Sequence, residues 1–285
     1  MAVSAPSSAR LEFLATRLRV GEHGIWSAGE QAQVSYPADG HASCFAVEDG
    51  SFWFQHRNRC IEALVVAQPP ADRGLLVDVG GGNGVVAKGL QDAGFEVALI
   101  EPAWTGALNA RRRGLRQVAC STLQAAGFRP GTVPAAGLFD VLEHIEDDVA
   151  FLSDLRFVLT PAGRLYLTVP AYRGLWSEAD VDAGHMRRYD LREVCDVLRR
   201  AGFRIDYASY FFRPLPLPVL LLRTLPYRLG LRRPADSGQV HSDHAARRGG
   251  LSSVAQWLLR TEIDHIGHGR SMRFGGSCIV AASVV

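Results

Sequence analysis

Lysine is almost missing from this chain. Lys88 is the only one, leaving arginine for the other 30 of the 31 basic residues. A GC-rich coding bias explains that better than function, although guanidinium groups suit carboxylate and phosphate partners. Cysteine is sparse, at positions 44, 60, 120, 195 and 278, and no Cys-x-x-Cys pair occurs. That spacing argues against a zinc site and a disulfide framework, so no metal is expected and a reduced cytoplasm is the expected setting. No run reaches the roughly 18 apolar residues that a bilayer span needs. The opening Met1-Ala2-Val3-Ser4-Ala5-Pro6-Ser7-Ser8 lacks the charged start and apolar core of a secretory leader. A net charge of +2 gives no electrostatic reason to expect nucleic acid. The chain shows no internal repeat. What remains is ordinary globular composition, 47% hydrophobic and 21% charged over 285 residues, enough for one large domain or one domain with a small appendage.

The most informative stretch is Leu75-Leu76-Val77-Asp78-Val79-Gly80-Gly81-Gly82-Asn83-Gly84. A short apolar run ended by glycines predicts a buried strand entering a tight turn, and residues 85–93 then predict a helix. Glycine has no Cβ, so a ligand can lie against bare backbone there, facing the amides of a helix N-terminus. Two ligand classes use this geometry. The dinucleotide fingerprint Gly-x-Gly-x-x-Gly fails from Gly80, where the third position is Val85, and passes from Gly82 only with Ala87 in the last place. Residues 96–100 form a second predicted strand, ending in Glu101, an acid placed to accept hydrogen bonds from ribose hydroxyls in either class. Further strands are predicted at 117–120, 135–140, 164–170, 203–212 and 276–282. Helices are predicted at 51–67, 104–113, 148–159, 191–201 and 251–266.

The apolar-Asp-apolar-Gly-x-Gly-x-Gly turn is the better match, and with it the chain resembles the class I S-adenosylmethionine (SAM)-dependent methyltransferases. A second run, Phe139-Asp140-Val141-Leu142-Glu143-His144-Ile145-Glu146-Asp147, is similar to small-molecule methyltransferases of ubiquinone-pathway and natural-product type. A third, Asp180-x-x-x-Gly184-His185-x-Arg187-Arg188-Tyr189, resembles a bacterial group associated with glycolipid and secondary-metabolite biosynthesis. The resemblance spans roughly 52–212 and resumes at the last strand. It implies an α/β fold: a Rossmann-like, doubly wound seven-stranded sheet, mostly parallel with an antiparallel last strand. It implies SAM as cofactor, held by Asp78, Gly80, Gly82, Gly84, Glu101, Ser121 and Asp140, with Phe52, Trp53 and Arg57 arriving from the 51–67 helix. Many relatives carry an acid where this chain runs Ser121-Thr122-Leu123, so hydroxyl or backbone groups must serve the adenine.

In an open α/β sheet the ligand sits beyond the carboxyl ends of the strands, so Asp140, Glu143 and His144 are expected to face it. His144 and His185 are the candidate bases, since histidine titrates near neutral pH. Tyr172, Trp176, Arg187, Arg188 and Tyr189 are the candidate acceptor contacts, the aromatics lining an apolar cavity and the arginines meeting an anionic group. The alternative is that these arginines bind lid carboxylates such as Glu178 and Asp180. The loops at 21–54 and 171–189 are expected to close over the methyl end from opposite sides. In domain terms, residues 1–50 read as an extension and lid, and 51–285 as the methyltransferase domain with an insertion at 213–270. Residues 213–234 hold five arginines and no acid. Such a segment either packs between strands, the preferred reading, or lies on an anionic membrane surface. The acceptor is expected to be a small molecule, with O, N or C methylation open, and not nucleic acid, since no Asn-Pro-Pro-Tyr or Asp-Pro-Pro-Tyr run follows the fourth strand. The competing functions are an NAD-dependent oxidoreductase, for which no Tyr-x-x-x-Lys site is evident, and a SAM-binding or membrane-surface module without catalysis.

Overall fold

The structure, a computed structural model, describes residues 11–29, 44, 45, 47–231 and 253–285. The sequence readings at 1–9, Tyr36-Pro37 and 237–250 lie outside the described residues.

Among the described residues, nine strands form one sheet: β1 (Arg19–Val20), β2 (Trp26–Ser27), β3 (Leu76–Val79), β4 (Val97–Glu101), β5 (Gln117–Cys120), β6 (Val133–Phe139), β7 (Leu159–Pro170), β8 (Phe203–Phe211) and β9 (Ser277–Val284). Their order is β1-β2-β5-β4-β3-β6-β7-β9-β8. The seven long strands from β5 to β8 carry the doubly wound fold. β3 lies at its centre, parallel to β4 on one side and β6 on the other, and β9 slots antiparallel between β7 and β8. Seven strands were expected, and the two extra ones are two-residue pieces at the edge. The reason is the Leu11–Ser27 region. Leu11, Leu14, Leu18 and Ile25 are buried, which draws β2 into parallel register with β5 (Trp26 opposite Ala119). Part of the expected 1–50 extension therefore belongs to the sheet edge.

Side chains alternate across a strand, so β3 and β4 feed two cores, one on each face. Val77, Val79, Ala98 and Ile100 point to one, and Leu76, Val97 and Leu99 to the other. The Phe52–Ala67 helix starts where Ser51 Oγ accepts from the Trp53 amide, and it buries Ile61, Leu64 and Val65 as its spacing predicts. The Asp148–Val158 helix is capped by Asp147, whose side chain accepts from the Ala150 amide. β7 begins earlier than expected, at Leu159. Leu159 pairs with Val133 and Arg164 with Ala135, so 160–163 loop out of the ladder.

The 213–231 segment is helical. It runs through Pro216–Val219, a π-helical turn at Leu220–Thr224 and Leu225–Arg228. Thr224 Oγ1 donates to the Leu175 carbonyl at 2.9 Å, and Arg228 Nη2 donates to the Gly174 carbonyl at 3.0 Å. The segment is thus docked over the loop that follows β7. Among the described residues, no helix is long and apolar enough to cross a membrane.

Candidate active site

β3, β4, β5 and β6 all end on one cavity of about 970 Å³. The glycine turn leaves β3 with Gly80, Gly82 and Gly84 at positive φ, which L side chains rarely adopt. A Cβ on Gly80 would stand 2.9 Å from Val141 Cγ2, so the turn can approach the β6 loop only without one. Glu101, at the tip of β4, ties this turn down. Its Oε2 accepts from the Gly82 amide at 2.9 Å and its Oε1 from the Ala103 amide at 2.7 Å. Asp78 is fully buried in β3 and lines the cavity, and neither carboxylate oxygen has a hydrogen-bond partner among the described residues. Burial pushes the Asp78 carboxyl up to about 7, against the pull of Arg57. Burial likewise pushes Glu101 up to about 7, against its two backbone amides.

The Phe52–Ala67 helix brings Phe52, Trp53 and Arg57 to the same cavity. Trp53 stacks on Phe212 with ring centroids 5.5 Å apart, and Arg57 lies over the Trp53 ring. Arg57 Nε is 2.7 Å from Asp140 Oδ2, and its Nη2 donates to the Phe139 carbonyl at 2.8 Å. Thr168 Oγ1 donates to Asp140 Oδ1 at 3.0 Å. Asp140 itself sits at φ 58, turned back from the end of β6 and held on both oxygens. Ser121, after β5, also lines the cavity.

Nine of the ten expected cofactor residues therefore share one cavity: Asp78, Gly80, Gly82, Glu101, Ser121, Asp140, Phe52, Trp53 and Arg57. Gly84 is set apart. It caps the next helix, and a Cβ there would stand 2.7 Å from Leu115 Cδ1 and 2.8 Å from Ala110 Cβ, so its smallness serves helix packing.

The other end of the cavity is walled by Ile145, Phe151, Leu175, Met186, Val219 and Leu222, with Glu143, His144, His185 and Arg188 among them. His185 Nδ1 is 3.0 Å from Asp180 Oδ1, and Arg188 Nε donates to the same oxygen at 2.7 Å. Burial works to raise Asp180, but these partners outweigh it and hold the carboxyl at about 2. His144 Nδ1 is 3.2 Å from the Gly184 carbonyl, and its ring meets that of His185 edge to face at 4.9 Å. Burial, reinforced by His185, pushes His144 down to about 4, so its imidazole is neutral at physiological pH.

Four of the expected acceptor contacts stand off the cavity, which corrects the reading of this loop. Tyr172 stacks on Tyr210 at 5.0 Å. Tyr189 is buried, with its hydroxyl donating to Asp148 Oδ2 at 2.9 Å. Arg187 pairs with Asp148 at 3.2 Å and donates to the Glu146 carbonyl at 2.7 Å. Trp176 is half-buried and is not part of the lining. Only Arg188 reaches the cavity, and it is engaged by Asp180. The alternative, arginines holding lid carboxylates, is the arrangement found for Arg188.

Sequence reasoning passed over two site-building residues and gave a third only part of its role. Asp180, expected only as a lid carboxylate for the arginines, also orients His185. Glu262, 206 positions from His56, accepts from its Nε2 at 2.7 Å and from the Phe212 and Arg213 amides, which pins Phe212 behind Trp53. Glu48 accepts from Asn83 in the glycine turn at 3.0 Å and pairs with Arg113 at 2.6 Å. No local pattern announces the last two.

The doubly wound sheet with an acid at the tip of its second long strand and a glycine cradle after its first defines a nucleotide-type ligand site of class I methyltransferase form. A family model described as a methyltransferase domain matches residues 52–208, and the chain belongs to that family of SAM-dependent enzymes. No curated protein matches the chain in sequence. Among solved structures it is similar to a SAM-dependent methyltransferase of Thermotoga maritima (TM-score 0.54, 15% identity, 86% of this chain and 94% of that one). It is also similar to the methyltransferase partner of the Haloferax volcanii Trm112 activator (0.54, 16%, 87% and 95%). A third is phosphoethanolamine N-methyltransferase 2 of Haemonchus contortus, solved with S-adenosyl-L-methionine (0.53, 16%, 90% and 61%). At such identities the likeness speaks for the fold. The cofactor fits the residues present: a buried carboxylate without a partner at Asp78, an acid held ready at Glu101 and a turn no Cβ could fill.

Proposed function

We propose that this enzyme methylates a hydroxyl on a largely apolar small molecule, and that the histidine pair at the far end of the cavity promotes loss of the hydroxyl proton. SAM, when bound, supplies an electrophilic methyl group on a sulfonium, so the protein's work is alignment and removal of one proton. Asp78, Glu101 and the glycine turn hold the cofactor. Trp53 and Arg57 close its side. His185 is the better-placed base, because Asp180 on Nδ1 fixes the ring and leaves the lone pair on Nε2. That Asp180–His185 pair, set in an apolar wall, is the observation that carries the reading. The apolar lining contributed by Leu215, Val219 and Leu222 supports a hydrophobic acceptor body, of secondary-metabolite or lipid-linked type. The cavity is at the upper end of the roughly 300–1,000 Å³ usual for ligand sites, which leaves space for a second molecule beside the cofactor.

The test is formation of S-adenosylhomocysteine with a panel of hydroxylated apolar acceptors. His185→Ala should lower kcat about 10²–10⁴-fold while cofactor affinity stays unchanged. Turnover that survives this change would remove the histidine from the reaction. A membrane-surface role has its own support, since the docked helix turns Leu217 and Leu221 outward, 62% and 51% exposed, beside Arg228. Flotation with anionic vesicles at low salt tests it, and protein left in the soluble fraction discards it.

A further inference from the structure

Glu143 is fully buried at the acceptor end, and neither of its carboxylate oxygens has a hydrogen-bond partner among the described residues. A buried carboxylate in that condition is costly unless another group takes its charge. The groups around it are specific. His185 Nε2 lies 3.9 Å from Glu143 Oε1, and His144 follows Glu143 in the chain. One nitrogen of each histidine and one oxygen of Glu143 all lie within 4.8 Å of one another.

Both rings are held on their Nδ1 side, His185 by Asp180 Oδ1 and His144 by the Gly184 carbonyl. Carboxylate and carbonyl oxygens only accept, so each Nδ1 carries the hydrogen and each lone pair sits on Nε2. A histidine fixed in this way by an outer carboxylate or carbonyl is the usual arrangement behind a metal-ligating Nε2.

We propose that Glu143, His144 and His185 form a divalent transition-metal site of the zinc class. Two imidazole nitrogens and one carboxylate oxygen match three-ligand catalytic zinc and related open-sided sites, whereas magnesium and calcium take oxygen. Ligands at the usual zinc distances stand about 3.4 Å apart, so binding draws these side chains together by about an ångström. The open position faces the cavity, where the ion can hold an acceptor oxygen and lower its pKa. The inference rests on the acceptor-end reading above and refines it. With metal bound, the two Nε2 atoms are ligands, and the proton leaves under the ion's charge instead of onto a ring.

A second cluster, His56, Cys60 and Glu262, has comparable spacing. There Glu262 is already satisfied by His56 and two backbone amides, so the cluster serves as a structural tie.

The experiment uses the full chain, stripped with a chelator and titrated with Zn²⁺ by calorimetry and with Co²⁺ by visible absorption, without turnover. One equivalent should bind with a Kd at or below the micromolar range. Glu143→Gln and His185→Asn should each weaken binding at least 100-fold. Glu143→Gln, which removes a buried carboxyl without a hydrogen-bond partner among the described residues, should also raise the melting temperature of the metal-free protein and abolish the metal-induced rise. No binding of either ion, or binding indifferent to both variants, overturns the proposal. So does binding lost on Cys60→Ser and kept in Glu143→Gln, which would assign the metal to the other cluster. A metal-free enzyme that turns over fully would leave His185 as the base and end the metal reading alone.

Discussion

Glu101→Ala is the sharpest probe of the cofactor end. The carboxylate is only 4% exposed, and both its oxygens already take backbone amides, those of Gly82 and Ala103. A carboxylate offers about four acceptor sites, so two amides do not exhaust it, and ribose hydroxyls can share it. A hydrogen bond to a charged group contributes roughly 1.5–3 kcal/mol, which is about 13- to 160-fold in affinity. The same substitution leaves two amides of the glycine turn without their partner, costing about 1–3 kcal/mol of stability for each that water cannot reach. Glu101→Gln keeps the shape but turns an NH₂ toward one of those amides, so it should fall between wild type and Ala. Calorimetry with S-adenosylhomocysteine, which does not turn over, reads affinity, and thermal denaturation reads the turn. Binding within twofold of wild type would refute the ribose assignment. If the melting temperature fell while affinity held, Glu101 would be a brace for the turn and nothing more.

Two further outcomes follow from the same geometry. Asp78 and Glu101 are both pushed up to about 7, so between about pH 4 and 7 the folded chain holds protons that the unfolded chain has lost. The stability carried by their neutral forms is full below the unfolded values and is lost as pH rises through 7. A cationic cofactor favours the ionised forms, so SAM affinity should rise from pH 6 to pH 8 with proton release at pH 6; a flat calorimetric Kd across that range would refute this. Arg188→Ala breaks a pair whose side chains are only 11% and 1% exposed, and should cost about 3–5 kcal/mol, roughly 6–20 °C in melting temperature. Unchanged melting with a raised acceptor KM would return Arg188 to substrate binding.

Much of this molecule could be read from its sequence because the signals are local. Short, continuous apolar runs place β3 and β4, and the residue sequence itself states where glycine permits positive φ. Ser51 and Asp147 cap helices through bonds only two or three residues long. Glu101 was placed at a strand tip by position alone. The edge strands β1 and β2 were not legible, because two-residue strands carry no period, and only the burial of Leu11 and Ile25 brings them to the sheet.

The partners of charged side chains were decided by tertiary structure. Arg187 and Arg188 sit side by side in the sequence, yet one closes on Asp148 and the other on Asp180. Charge type and spacing allow several pairings of similar local energy, and the fold selects the one it can also desolvate. His56 and Glu262 meet across 206 positions only because their two helices pack together, and Glu143 is buried beside His185 of the 171–189 loop, 42 positions further along the chain. The sequence by itself determined a sheet, a glycine cradle and a methyltransferase lineage. Which acids would be left buried without a partner, and which histidines would be aimed at them, depended on long-range packing that no local pattern encodes.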